Sequence, residues 1–293
     1  SLTVSWSKLL WAALTVGRPS RQYVFRHGGS SVFEALFRLS LVRMALEQSG
    51  PQARRLRRTA AAKSLDPTEK GAINYFLGMT VAKLFAAELL ATPWLLHLDV
   101  FRPQLNAVLS GRSRPDLVGK TTSGQWIALE CKGRVSPPNE DVKAKAKGQA
   151  QRVVSIGGSV PSFTIGAVTY FRNDILQFFW RDPAPETQLK NPIGIEFTAA
   201  MWDHYYEPVR AIVATSERSE EDEIVWATVH GSDVEVGVHK RVWSALQAGG
   251  AEAQRVAERF HGEFGVCNVD GVAVHAGESW TKLFDDLVSE DGR

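Results

Sequence analysis

The sequence predicts an α/β protein in which a mixed sheet is flanked by helices. Between residues 66 and 190, signals for a helix, three strands, a second helix and a further strand follow one another. The preceding residues show only helical spacing, and those after about 191 alternate between short strands and helices. We therefore predict an N-terminal helical region (1–65), an α/β core (66–190) and a C-terminal α+β extension (191–293). With 293 residues, 44% of them hydrophobic, the chain can bury a substantial core.

The N-terminal region is interpreted as a helical cap packed on the core. Its apolar residues recur at helical spacing until Ser49-Gly50-Pro51 ends the run: Phe33, Leu36, Phe37, Leu41 and Met44. This region carries no recognisable chemistry.

The first core helix is predicted to begin at Asp66. Asp66 is a good N-cap residue, Pro67 suits the first helical position, and Glu69 completes a capping box. Ala91-Thr92-Pro93 then ends the helix near Leu90.

Three strands follow, and the last two are predicted to form a hairpin. The first runs from Leu95 to about Arg102, and the hairpin turn is centred on Thr122-Ser123-Gly124. Antiparallel pairing about this turn sets Asp116 opposite Glu130. The hairpin therefore brings two carboxylates to one face of the sheet.

An ammonium is expected on the same face. Residues two apart share a face of a strand, so Glu130 and Lys132 point one way and Cys131 the other, as a small core hydrophobe. Charged residues are rare inside an apolar strand unless something binds them, and the alternative is a surface ion pair on a hairpin. Mg²⁺ needs only one or two carboxylates beside its waters. We therefore predict Asp116 and Glu130 as ligands of Mg²⁺, or of Mn²⁺ in its place, and Lys132 as the cation that assists the reaction.

The remaining elements complete the pattern. A lysine-rich helix is predicted from Glu140 to Val154, and an apolar, central strand from Phe163 to Tyr170. The C-terminal extension is predicted to contain three strands, then two helices and a last hairpin near Asp270-Gly271; the three strands are Val209–Ala214, Ile224–Val229 and Val234–Val238.

Pro115-Asp116 followed by Glu130-Cys131-Lys132 on the next strand resembles the motif of the PD-(D/E)XK nuclease superfamily, the restriction-endonuclease-like fold. The resemblance covers about residues 66–180. It implies a metal-dependent nuclease that hydrolyses phosphodiester bonds, with DNA favoured over RNA as the substrate, and a role in bacterial defence or restriction. A non-catalytic nucleic-acid-binding or assembly subunit that keeps this fold is the alternative. The intact set of Asp116, Glu130 and Lys132 argues against it.

The resemblance also implies a glutamate from the first helix and a polar side chain from the second. The rise per residue of helix and strand places Glu69 beside the end of the first strand, near Asp116, and Glu88 at the far end. Glu69 is equally explained by its capping box, and Glu88 should be paired with a cation. From the second helix, Gln151 and Gln149 are the candidates.

Charge and composition limit the kinds of partner that the protein is expected to bind. The formal net charge is only +2, but basic residues outnumber acidic ones between Arg102 and Arg152, as a phosphate-binding surface requires. Cys131 and Cys267 are the two cysteines, too few for a disulfide framework. The sequence shows no membrane span or signal peptide, and we expect a cytoplasmic protein with nucleic acid as partner. A second copy of the chain or a separate defence protein would be its protein partner.

Overall fold

The computed structural model describes residues 2–17, 27, 29–48, 55–99, 114–182 and 192–281. Within these ranges the helices are α1 Trp6–Thr15, α2 Gly29–Ala45, α3 Ala60–Ser64, α4 Pro67–Leu89, α5 Glu140–Ala150, α6 Trp202–Thr215, α7 Lys240–Leu246, α8 Gly250–Phe260 and α9 Glu278–Thr281. The strands are β1 Leu46–Gln48, β2 Leu56–Arg58, β3 Trp94–His97, β4 Leu117–Lys120, β5 Trp126–Gly133, β6 Val153–Ile156, β7 Phe163–Arg172, β8 Ile175–Arg181, β9 Ile193–Ile195, β10 Arg218–Glu221, β11 Ile224–Thr228, β12 Val234–His239 and β13 Val272–Ala276.

A seven-stranded mixed sheet with helices on both faces forms the centre of the molecule. Its order is β1-β2-β8-β7-β5-β4-β3, and β5 and β7 are parallel while the other neighbours are antiparallel. Helix α4 packs on one face and α5 on the other. The predicted mixed α/β architecture is therefore confirmed, and β7 lies centrally, as expected.

Helix α4 begins and ends where its sequence signals predict. The Asp66 side chain accepts hydrogen bonds from the backbone N–H groups of Thr68 and Glu69, and Glu69 returns the contact to Asp66. At the other end Ala91 adopts a left-handed φ of 48°. Although α4 has 23 residues, no helix in the described part of the chain is both long and apolar enough to cross a membrane.

The hairpin of β4 and β5 has the predicted register. Leu117 pairs with Leu129 and Lys120 with Trp126, so the pairing is symmetric about Ser123. Gly124 takes a left-handed φ of 83° in the turn, which glycine adopts without a steric cost. The first strand, β3, begins one residue earlier than predicted and ends at His97, well short of Arg102, while residues 100–102 of that prediction lie outside the described residues.

Three predicted elements are wrong. Helix α5 ends at Ala150 rather than Val154, because β-branched Val153 and Val154 continue into β6, which pairs with β9. Residues 209–214 belong to helix α6, whose buried side chains recur at helical spacing from Trp202 onward. The turn at 270–271 leads into β13, which pairs with β12 instead of forming a local hairpin.

The N-terminal region is not purely helical. Strands β1 and β2 extend the main sheet beside β8, and α2 exposes Phe33 and Phe37 while it buries Leu39. A second, four-stranded sheet, β10-β11-β12-β13, carries the C-terminal extension. One hydrophobic cluster contains Trp11, Leu96 and Val236, and so joins all three predicted regions.

Candidate active site

Asp116, Glu130 and Lys132 come together on the main sheet. Asp116 immediately precedes β4, and its Oδ2 accepts a hydrogen bond of 2.9 Å from the backbone N–H of Cys131. Glu130 and Lys132 lie on β5, where the Lys132 ammonium donates to Glu130 Oε1 at 2.5 Å. The structure thus brings together the three charged residues of the predicted motif.

The approach of α5 to the sheet encloses this cluster. In the parallel register Glu130 pairs with Gly166 of β7, so the two residues share a face. A Cβ atom on Gly166 would lie 2.6 Å from the backbone nitrogen of Lys147, so α5 can approach this closely because residue 166 is glycine. Glu130 is 3% exposed as a result.

Gln149 is the glutamine of α5 that contacts the cluster. Its Oε1 accepts a hydrogen bond of 2.8 Å from the Lys132 ammonium, and its Nε2 donates to the Arg114 carbonyl oxygen at 3.5 Å. Lys132 is therefore held between Glu130 and Gln149. Gln151 is buried at the C-cap of α5, and its assignment to the site stays a prediction.

The electrostatics of the two carboxylates fit a bound divalent cation. Burial, followed by the charge of Asp116, raises the pKa of Glu130 to about 8, and burial also raises the pKa of Asp116. When both are ionised, the buried Oε2 of Glu130 has no hydrogen-bond donor within the described ranges. A hard cation would satisfy that oxygen and relieve the repulsion between the carboxylates.

The described residues contain no group of three or more His, Cys, Asp or Glu side chains gathered for metal binding. Mg²⁺ does not require one, because it commonly keeps several waters beside one or two carboxylates. Asp116 and Glu130 therefore suit Mg²⁺ better than a metal that demands a full set of protein ligands.

The two helix glutamates have other partners. Glu69 is exposed and accepts from the Asp66 backbone N–H at 3.2 Å, as its capping role predicts. Glu88 pairs with Lys8 at 2.5 Å, which confirms the expected pairing with a cation. A catalytic role for Glu69 stays a prediction.

One turn of α4 that packs against β5 close to the site contains Tyr75. A Cβ atom on Gly133 would clash with the Asn74 carbonyl, which shows how closely this turn packs against the end of β5. Burial first, and then the charge of Asp116, raises the pKa of the Tyr75 phenol. Sequence reasoning missed Tyr75 because its position on α4 carries no motif.

Asp99 and Arg114 were also missed. Arg114 Nη2 donates to Asp99 Oδ1, and the charge of Asp99 contributes to the raised pKa of Asp116. The available signal was the position of Arg114 directly before Pro115-Asp116.

One other expectation from the sequence holds. Cys131 is buried, and burial raises the pKa of its thiol, so it is a core residue rather than a nucleophile. Trp202, Tyr205 and Tyr206 are buried as well, and they form core contacts instead of a surface on which bases could stack.

Comparisons with family models, with curated proteins and with solved structures give no match to this chain.

The raised pKa of Glu130 predicts how pH changes the stability of the metal-free protein. A carboxyl group whose pKa rises on folding stabilises the fold below its ordinary pKa, and that contribution is lost as pH rises through about 8. Glu130→Gln lacks this contribution at every pH. In a chelator, we expect urea titrations to show the variant gaining stability relative to wild type between pH 5 and pH 8. A constant difference would contradict the raised pKa.

Proposed function

We propose that the protein is a Mg²⁺-dependent nuclease with a restriction-endonuclease-like core, acting on DNA. The observation that carries this proposal is a pair of adjacent carboxylates, the buried Glu130 and the half-buried Asp116, with the Lys132 ammonium bonded to Glu130. Two acids seldom lie side by side where one of them is buried, since burial and mutual repulsion both disfavour their charged forms. Two further features support a cation site: the raised pKa values of both carboxyl groups, and the lack of any hydrogen-bond donor among the described residues for Oε2 of the ionised Glu130.

Each residue has a distinct role in this proposal. Asp116 and Glu130 would hold the metal, which supplies Lewis acidity toward a phosphoryl oxygen and toward an attacking water. The Cys131 N–H fixes the orientation of Asp116, because it holds Oδ2. Lys132, held by Gln149, presents its ammonium beside the site of reaction, where it stabilises negative charge that develops on phosphate.

The basic residues of α5 support a nucleic-acid substrate. Lys145 is exposed, whereas Lys143 already pairs with Glu140 at 2.6 Å and lies 4.7 Å from the centre of the Phe179 ring. A polyanion brought to this side of the sheet would meet the ammonium groups of α5, the helix that packs over the face carrying Glu130. A cytoplasmic restriction or defence effector, alone or with a protein partner, is the setting that the motif favours.

A non-catalytic subunit that keeps the fold is the second candidate. It would bind nucleic acid with the same basic residues but would need neither Asp116 nor Glu130 as metal ligands. Metal binding by this pair therefore separates the two candidates.

The deciding experiment measures cleavage and metal binding together. We expect the purified protein to cleave labelled DNA with Mg²⁺ or Mn²⁺ and to be inactive in EDTA, with single- and double-stranded DNA and RNA compared side by side. Mg²⁺ should also raise the melting temperature of the wild type, since a ligand that binds the folded state stabilises it.

The matched control removes a carboxylate elsewhere on the same side of the sheet. Glu140 is exposed at the start of α5, so Glu140→Gln should keep the Mg²⁺-induced shift, and Glu130→Gln should lose it. Cleavage that persists in EDTA, or a shift that survives Glu130→Gln, would refute the metal-dependent mechanism.

A further inference from the structure

Arg114 lies at the edge of the candidate site and is held from two directions. Its guanidinium donates to Asp99, and its carbonyl oxygen accepts from Gln149, the residue that also holds Lys132. The Arg114 side chain is 19% exposed and that of Asp99 is 21% exposed. The guanidinium is therefore fixed in position next to the site and remains accessible to solvent.

A second arginine adds to the positive charge on this side. Arg152 is buried just after α5, and after burial the charge of Arg114 is the next cause of its lowered pKa. Lys132 and the backbone of Arg114 both contact Gln149, and Arg152 lies close enough to Arg114 for their charges to interact, while Asp116 and Glu130 supply the carboxylates. Metal-binding acids beside cations suit a phosphodiester, whose oxygens need both.

The Asp99 carboxylate accepts a hydrogen bond from the Arg114 guanidinium, as a phosphate would. A carboxylate and a phosphate present similar pairs of oxygens to the planar fork of arginine, which has five N–H donors. The Asp99–Arg114 pair is only partly buried, so exchange of one anion for the other does not require a core contact to be broken.

We propose that Arg114 is a phosphate-binding residue of this site and that Asp99 holds it in place until a nucleic-acid phosphate replaces the carboxylate. This inference rests on the proposed function. It adds Arg114 as a residue that binds a phosphate of the substrate backbone, and Asp99 as an acid that competes with that phosphate for the Arg114 guanidinium.

The two residues should then affect binding in opposite directions. Loss of Arg114 removes a phosphate contact, whereas loss of the Asp99 charge removes a competitor and a repulsive charge. A purely structural ion pair would behave differently, because either substitution would weaken the same local structure.

The test uses the full chain carrying Glu130→Gln to prevent cleavage, and a labelled DNA duplex as the probe. We expect Arg114→Gln to raise Kd by roughly ten- to a hundredfold and to reduce the salt slope by about one unit, because one charged contact is lost. Arg114→Lys should restore the salt slope but only part of the affinity. Asp99→Asn should lower Kd. Arg241→Gln removes an arginine paired with Glu263 in the C-terminal part and serves as the control.

The outcomes separate this inference from the proposed function. If the wild type cleaves no DNA with Mg²⁺ or Mn²⁺ and the Glu130→Gln protein binds none at any salt concentration, the nuclease proposal itself fails. If it binds but Arg114→Gln behaves like the Arg241→Gln control, only the role of Arg114 is overturned. Weaker binding in both Arg114→Gln and Asp99→Asn, with lowered melting temperatures, would show a structural ion pair and overturn it as well.

Discussion

Replacing Glu130 with glutamine is expected to reduce metal-dependent cleavage by at least about a thousandfold, because Lewis-acid stabilisation of the transition state is worth several kcal/mol. Asp116→Asn should have an effect of the same size, since the proposed mechanism needs both carboxylates to hold the metal. Both substitutions keep the shape of the side chain, so the fold should persist. Single-turnover cleavage of labelled DNA measures the loss, and circular dichroism checks the fold.

Lys132→Met is the informative companion to these variants. An ammonium cannot be a metal ligand, so this variant should cleave slowly and yet keep the Mg²⁺-induced rise in melting temperature. Near wild-type turnover in either carboxylate variant would end the nuclease assignment. Loss of metal affinity in Lys132→Met as large as in Glu130→Gln would contradict the separate role of Lys132.

Asp270→Asn is expected to cause the largest loss of stability, about 3–5 kcal/mol, because it leaves a buried lysine without its compensating charge. Asp270 and Lys83 are both fully buried, and the Tyr205 hydroxyl connects them. It accepts a hydrogen bond of 2.8 Å from Lys83 Nζ and donates one of 2.5 Å to Asp270 Oδ2. Trp11 of α1 also donates to Asp270 Oδ2 at 2.9 Å. The network therefore joins both ends of the described chain to α4.

Urea titration, where unfolding is two-state, measures this loss as a decrease in the free energy of unfolding. The control is Glu220→Gln, which removes an exposed partner of Lys240 and should leave the free energy of unfolding unchanged. In the double variant Lys83→Met/Asp270→Asn neither buried charge remains, so part of the stability should return. A double variant that is less stable than the sum of its single changes would show that the network acts through packing and not through charge.

Local signals in the sequence were sufficient for the elements that position the carboxylates. The capping box at Asp66 fixed the start of α4, because its hydrogen bonds are made within four residues. The turn around Ser123 fixed the register of β4 and β5, since a short hairpin turn leaves few alternative pairings. Asp116, Glu130 and Lys132 could therefore be placed together from the order of residues alone.

The elements that sequence reasoning misjudged depend on distant partners. Val153 and Val154 become a strand because β9, some forty residues later, pairs with β6. The valines and isoleucine within 209–214 are equally suited to a buried strand or a buried helix, and packing of α6 against the rest of the core decides between them.

The mixed α/β core, the hairpin and the three charged residues could be predicted from the order of residues. The folded structure was needed to show that Gln149 holds Lys132, that the Arg114–Asp99 pair lies beside these residues, and that the Glu69 side chain is exposed. Hydrogen bonds within a turn or a hairpin are made by residues close in sequence, so the local sequence encodes them. The position of one element over another depends instead on how closely their backbones can approach, as in the packing of α5 over Gly166.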